Sequence, residues 1–156
     1  MLCQQLIIFG QIKIFFMKSF FLSKYRTSFQ TDIAALLMRV GFGFLMIPNH
    51  GYPKLIHFFE RKDVFVDFMG LGGPTSLALA VFAEFFCSIL LIFGLGTRLA
   101  VIPLLITIAV IYSQHGWNFL GEQELVTAFL IGYLTIFMLG SGKYSLDFAL
   151  FGKNKK

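Results

Sequence analysis

The chain has 156 residues, of which 57% are hydrophobic and only 13% are charged, and its mean hydropathy is +0.78. Soluble domains carry about 25% charged residues, so this composition argues against a soluble protein. The net charge of +5 would suit a nucleic-acid-binding protein, but the basic residues gather mostly near the two ends of the chain. Membrane orientation explains that distribution better, and we expect no nucleic-acid partner.

The first 31 residues are predicted to be a cytoplasmic or interfacial extension, poorly ordered or loosely docked, in front of a membrane domain over residues 32–150. Lys13 and Lys18 interrupt its apolar stretches, so it lacks the order of a signal peptide. Two interpretations remain open. Its Phe side chains lie in the headgroup region, or translation begins at Met17, which is the interpretation we prefer.

Four long apolar runs predict transmembrane helices at about residues 32–51, 75–94, 99–117 and 125–140. Pro48 lies near the end of the first run, and breakers and polar residues follow it as far as Lys54. Thr31 or Asp32 is a candidate cap at the start of that run. Pro103 lies in the first turns of the third run, where its missing N–H costs little.

The loop over residues 55–74 has a pattern of its own. Phe58, Phe65 and Phe68 recur at roughly helical spacing, with charged residues between them. This pattern predicts a short amphipathic helix on the membrane surface.

Basic residues set the predicted orientation, because Lys and Arg collect on the cytoplasmic side of a membrane. They occur before the first run, at Arg98 between the second and third runs, and in the tail over residues 151–156. The loop after the third run has Glu122 and Glu124 but no basic residue. Both termini are therefore expected to be cytoplasmic. This requires an even number of spans, and the fold predicted is an all-α, antiparallel bundle of four transmembrane helices.

Two charges stand inside the apolar runs, Arg39 in the first and Glu84 near the middle of the second. Opposite charges attract strongly at low dielectric, and pairing removes part of the cost of insertion. We therefore predict an Arg39–Glu84 pair. It either locks the bundle or lines a cavity for a quinone headgroup or a small acid. Lys54, just beyond the outer end of the first run, either contacts the headgroup of such a ligand or is solvated.

Other polar residues give weaker signals. Arg98 is interpreted as a positive-inside anchor, with a clamp onto Asp147 or Tyr144 as the alternative. His50 and His115 are both expected near the outer face. Two histidines alone make a poor metal site, so interfacial packing is preferred and no metal is predicted.

An ordered set of short motifs resembles the DoxX family, with its DoxX and DoxD groups of small four-helix bacterial membrane proteins. The resemblance covers about residues 32–150. Its motifs are Arg39 with Gly43 and Phe44, Gly51 with Lys54, Phe68-Met-Gly-Leu-Gly72 with Pro74, Ala83-Glu84, Gly94-Leu-Gly-Thr-Arg98 with Ala100, and Gly140-Ser-Gly-Lys-Tyr-Ser-Leu-Asp147.

The resemblance implies a multi-pass protein of the bacterial cytoplasmic (inner) membrane. It suggests an accessory or quinone-interacting component of membrane redox or thiol metabolism. Catalysis by this chain alone is not expected, so a protein redox partner would supply the electrons. The alternative class is a non-enzymatic assembly, chaperone or cargo-binding factor. A small-solute transporter is a weaker third interpretation, and a homo-oligomer is compatible with the Gly-bearing helix faces.

Overall fold

The computed structural model describes residues 29–68, 70–116 and 121–152, except the side chains of His115 and Glu122. The described residues form helices and turns and contain no strand. In chain order the elements are α1 (Phe29–Met46), the π-helical segment π1 (Ile47–Gly51), α2 (Tyr52–Ile56), α3 (Phe58–Arg61), α4 (Gly73–Val81), the π-helical segment π2 (Phe82–Cys87), α5 (Ser88–Phe93), α6 (Thr97–His115), a 3-10 turn (Gly121–Gln123), α7 (Glu124–Leu139) and α8 (Leu146–Phe151).

The first membrane helix is longer than predicted. The segments α1, π1 and α2 form one run over Phe29–Ile56, 28 residues long, rather than ending near Gly51. Proline removes a backbone donor and clashes with the carbonyl four residues earlier, which normally breaks a helix. Here Pro48 falls in the wider π1 turn and Pro53 falls in the first turn of α2. Both prolines are therefore accommodated, and the helix continues past them.

The second and third membrane helices agree with the prediction. The run Gly73–Phe93 has 21 residues and the run Thr97–Gln114 has 18, and both are apolar enough to cross a bilayer. Between them the chain turns at Gly94 and Gly96, whose φ angles of 70° and 58° lie in the left-handed region that glycine adopts without strain.

Helix α7 falls short of the other three. Its 16 residues would span about 24 Å at 1.5 Å per residue, against a hydrocarbon core of about 30 Å. Three helices of the described chain are thus long and apolar enough to cross a membrane, and the fourth span stays a prediction. Helix α7 nevertheless packs against both α1 and α6, so it belongs to the same bundle.

The amphipathic helix expected over residues 55–74 does not form as predicted. Within the described part of this loop, helix is limited to the end of α2, the single turn α3 and the start of α4. Polar side chains bind the backbone instead. The Asp67 carboxylate accepts a hydrogen bond from the Gly72 N–H at 2.8 Å, and the Ser76 hydroxyl accepts one from the Phe68 N–H at 2.9 Å. Such local bonds compete with helix formation.

The buried core lies between α5, α6 and α7, where Leu91, Leu104 and Ile136 are fully buried. The outer faces of α1, α6 and α7 are apolar as well, since Leu37, Ile106 and Met138 are exposed. A bundle with an apolar inside and an apolar outside is suited to lipid rather than water. The protein is therefore a membrane protein associated with the lipid bilayer.

Candidate functional site

A buried ion pair joins the first and second membrane helices. The Nζ atom of Lys54, on α2, lies 2.5 Å from Oε1 and 2.6 Å from Oε2 of Glu84, on π2. The side chain of Glu84 is 2% exposed and that of Lys54 is 21% exposed. The carboxylate is therefore enclosed by protein, and the ammonium group is the side of the pair that reaches the surface.

The two π-helical segments bring this pair together. Segments π1 and π2 pack against each other, and Gly51 lies at their closest approach. A Cβ atom at Gly51 would stand 2.7 Å from the Glu84 carbonyl oxygen and 2.8 Å from the Phe85 nitrogen, so only glycine fits there. π-Bulges redirect side chains within a helix and occur frequently at functional sites.

Two further polar side chains lie near the pair. His50, on π1, precedes Lys54 by four residues in the same helical run, and its ring meets Phe129 edge-on at 5.9 Å. Tyr133, on α7, is fully buried, and its ring packs on the same Phe129. We call His50, Lys54, Glu84 and Tyr133 the polar cluster.

The Tyr133 hydroxyl has no hydrogen-bond partner within the described part of the chain. A buried hydroxyl without a partner costs free energy, and most such groups in proteins are satisfied. Its ring packs against Phe129 and Phe42, at centroid distances of 5.8 Å and 6.0 Å. The ring is thus fixed in the bundle, while its hydroxyl can still donate a hydrogen bond that no described residue accepts.

The predicted Arg39–Glu84 pair is wrong. Among the described residues, no hydrogen bond or ion pair joins these two side chains, because Lys54 occupies the carboxylate. The Arg39 guanidinium instead donates to the Tyr144 carbonyl at 2.6 Å and to the Leu91 carbonyl at 3.5 Å. A Cβ atom at Gly94 would collide with this guanidinium, so the glycine of the turn makes room for it.

A second polar group, which we call the clamp, ties the C-terminal segment to the bundle. It consists of Asp32, Arg39, Lys143, Tyr144 and Asp147. Backbone and Nζ nitrogens of Lys143 lie 3.0 Å and 3.2 Å from the Asp32 carboxylate. Asp32 was expected to cap the first helix, but α1 begins at Phe29 and the carboxylate binds Lys143 instead.

Asp147 completes the clamp at the turn between α5 and α6. Its carboxylate accepts hydrogen bonds from the N–H groups of Gly96 at 2.8 Å and Thr97 at 3.3 Å, which satisfies donors at the start of α6. Its own N–H donates to the Gly94 carbonyl at 3.0 Å. Arg98 is buried beside this turn, and its contribution to the clamp stays a prediction.

The two histidines considered for a metal cannot be compared, since the His115 side chain lies outside the described residues. Across the side chains that the structure describes, no group of three or more His, Cys, Asp or Glu residues could hold a metal ion.

The model of the DoxX family matches residues 34–117, which is more than half of the chain. This protein belongs to the DoxX family. The match contains three members of the polar cluster, His50, Lys54 and Glu84, and ends before α7 and Tyr133. No curated protein and no solved structure matches this DoxX family member.

Tyr133 is the cluster member that sequence reasoning missed. The signal was present, because a tyrosine stands in the middle of the apolar run Leu125–Leu139. A tyrosine at the end of such a run marks the membrane interface, but one at its centre must hide its hydroxyl inside the protein.

Proposed function

We propose that this DoxX family member binds a quinone headgroup at the polar cluster and acts as an accessory component of a membrane redox system. One observation carries the proposal: the bundle holds the buried Lys54–Glu84 pair and, on α7, a buried Tyr133 hydroxyl with no hydrogen-bond partner among the described residues. Ionisable groups inside membrane proteins are expensive and by default suggest a functional site.

The donors and acceptors of the cluster suit such a headgroup. An oxidised quinone offers two carbonyl acceptors on a flat apolar ring, and a reduced one offers hydroxyl donors. Tyr133 and Lys54 supply donors, Glu84 supplies an acceptor, and Phe129 supplies an aromatic edge. In this proposal a partner protein supplies the electrons, and Glu84 accepts a proton or a hydrogen bond from the headgroup.

The proposal includes a topology. Helix α7 is the fourth span of an antiparallel bundle, and both termini lie on the cytoplasmic side of the inner membrane. The tight packing of α7 on α1 and α6 supports this, as does the absence of any charged residue after Glu124 within α7. The exposed side of Lys54 then faces the outer leaflet.

The test compares two tyrosine variants by melting temperature with and without a short-chain quinone. A ligand that binds the folded state raises stability by RT ln(1 + [L]/Kd), about 2.7 kcal/mol at 100 times Kd. Tyr133→Phe removes an unpartnered hydroxyl, so we expect unchanged stability without ligand and a smaller quinone-induced shift.

Tyr112→Phe is the matched control. The Tyr112 hydroxyl lies 2.5 Å from the Thr127 hydroxyl, so its loss should lower stability without ligand and leave the quinone-induced shift intact. If the wild-type protein shows no shift, or if both variants shift as the wild type does, the quinone proposal fails. The assembly or cargo-binding alternative then takes its place.

A further inference from the structure

Helix α8 buries its charge and exposes its apolar side chains. Asp147 is buried, whereas Leu146, Phe148, Leu150 and Phe151 are all exposed, the last two at 62% and 57%. A surface helix in water shows the opposite arrangement. The exposed side of α8 is therefore adapted to an apolar surrounding.

The clamp fixes the position of the apolar side of α8 relative to the bundle. Asp147 binds the turn between α5 and α6, and the Tyr144 carbonyl binds Arg39. That turn joins two helices long enough to cross the bilayer, so it marks the level at which the chain leaves the hydrocarbon core. Helix α8 is held at the same level, beside the membrane surface.

Basic residues flank α8 in the sequence. Lys143 precedes it, with a side chain that is about half exposed, and Lys153, Lys155 and Lys156 follow it. We propose that α8 lies in the headgroup region of this leaflet, with its apolar side chains in the acyl-chain boundary, and that the three lysines after it in the sequence favour anionic lipid headgroups there. Apolar side chains combined with adjacent lysines are the pattern of interfacial lipid-binding segments.

Charge favours lipid over a second copy of the chain as the occupant. A second copy docked through α8 would bring two sets of the same lysines together, and like charges repel. An anionic headgroup has the complementary charge. This inference does not depend on quinone binding, because α8 and the polar cluster share no residue.

The test places a tryptophan on α8 in the full-length protein. Trp117 is the single tryptophan of the chain, so Trp117→Phe combined with Phe151→Trp leaves one reporter. Trp117→Phe combined with Ile106→Trp is the control, because Ile106 is exposed in the middle of α6. Both proteins are reconstituted in vesicles of phosphatidylcholine and phosphatidylglycerol carrying bromine either high on the acyl chain or at its end.

We expect the Phe151→Trp reporter to be quenched more strongly by bromine high on the chain, and the Ile106→Trp reporter by bromine at the chain end. Quenching of the Phe151→Trp reporter by aqueous acrylamide but not by lipid would overturn the proposal. So would quenching by neither, since another protein surface would then cover α8.

The lipid charge is tested by placing bromine on one lipid type at a time. The Phe151→Trp reporter should be quenched more by brominated phosphatidylglycerol than by brominated phosphatidylcholine. Changing Lys153, Lys155 and Lys156 to Gln should abolish that preference and leave the depth unchanged. Equal quenching by the two lipids before the lysines are changed would contradict the role of the anionic headgroups.

Discussion

Lys54 and Glu84 form one ion pair, but they differ in how far each reaches the surface. Glu84 is enclosed, and Lys54 is partly exposed on a flexible stem that can carry its ammonium group outward. Loss of the Glu84 carboxylate therefore leaves an ammonium group that can move out to the surface. Loss of the Lys54 ammonium group leaves a carboxylate that stays buried.

This difference predicts unequal costs for two variants. Lys54→Met should lower the free energy of unfolding by about 3–5 kcal/mol, because it strands a buried charge. Glu84→Gln should cost clearly less. Denaturant titration in detergent measures both, with Arg61→Met, at the exposed end of α3, as the control expected to be nearly neutral. Equal costs would show that the pair is not held as the structure has it.

The turn at Gly94 offers a second prediction for single residues. Gly94→Ala should destabilise the protein through its positive φ, worth about 1–2 kcal/mol, and also through collision of the new methyl with Arg39. Gly96→Ala is the control, since its φ is also positive but a Cβ there meets nothing within 4 Å. Melting temperatures should fall further for Gly94→Ala, and equal falls would contradict the position of the guanidinium.

The sequence singled out Arg39 and Glu84, because a charge in an apolar run is conspicuous, and Lys54 for its place just beyond the first run. It did not show which of them pair. Partner choice depends on Gly94 making room for Arg39 and on Gly51 allowing backbone contact at Glu84. Neither close approach can be read from the periodicity of apolar residues.

At the scale of elements, helix lengths were predicted best where the apolar runs end at unambiguous glycines. The second and third membrane helices meet at Gly94 and Gly96, and their bounds lie within three residues of the predicted ones. The length of the first helix was underestimated, because Pro48 and Pro53 indicated that the helix ends there. In the structure π1 and the first turn of α2 accommodate these prolines, and the helix continues. That extension places Lys54 on a helix facing π2, rather than in a solvated loop.

Packing of α1 against α5 predicts a further contrast. A Cβ at Gly43 would lie 2.7 Å from Ile92 Cγ1 and 3.0 Å from the Ser88 carbonyl oxygen, whereas a Cβ at Gly41 meets nothing within 4 Å. Gly43→Ala should therefore lower the melting temperature. Gly41→Ala should leave it unchanged or raise it, because alanine favours a helix by up to about 1 kcal/mol over glycine. The reverse order would contradict the α1–α5 contact.

Over the whole molecule, two polar groups hold the bundle at different places. The clamp joins α1 to the segment after α7, whereas the polar cluster contains the ion pair between α2 and π2 and the ring contact between π1 and α7. The clamp makes the C-terminal segment part of the fold. The polar cluster retains a donor that the described protein does not use, and this makes it the better candidate for ligand binding.

The four-span topology predicts the location of three reporters. Fusions at the two termini of the full-length chain should report the cytoplasmic side. A reporter inserted after Gly116, between α6 and α7, should report the opposite side, because α7 then crosses back. Activity of a cytoplasm-specific and an outside-specific reporter gives the readout. Termini on opposite sides would leave α7 outside the membrane and contradict the bundle proposed.

A quinone site at the Lys54–Glu84 pair is tested most directly by solvent extraction of the protein purified in mild detergent, with chromatography for bound quinone. Glu84→Gln is extracted alongside, and Arg61→Met serves as the matched control. We expect near-stoichiometric quinone in the wild type and in Arg61→Met, and the loss of quinone from a folded Glu84→Gln protein. Absence of quinone from well-folded wild type, or undiminished quinone in Glu84→Gln, would contradict a quinone site at the Lys54–Glu84 pair.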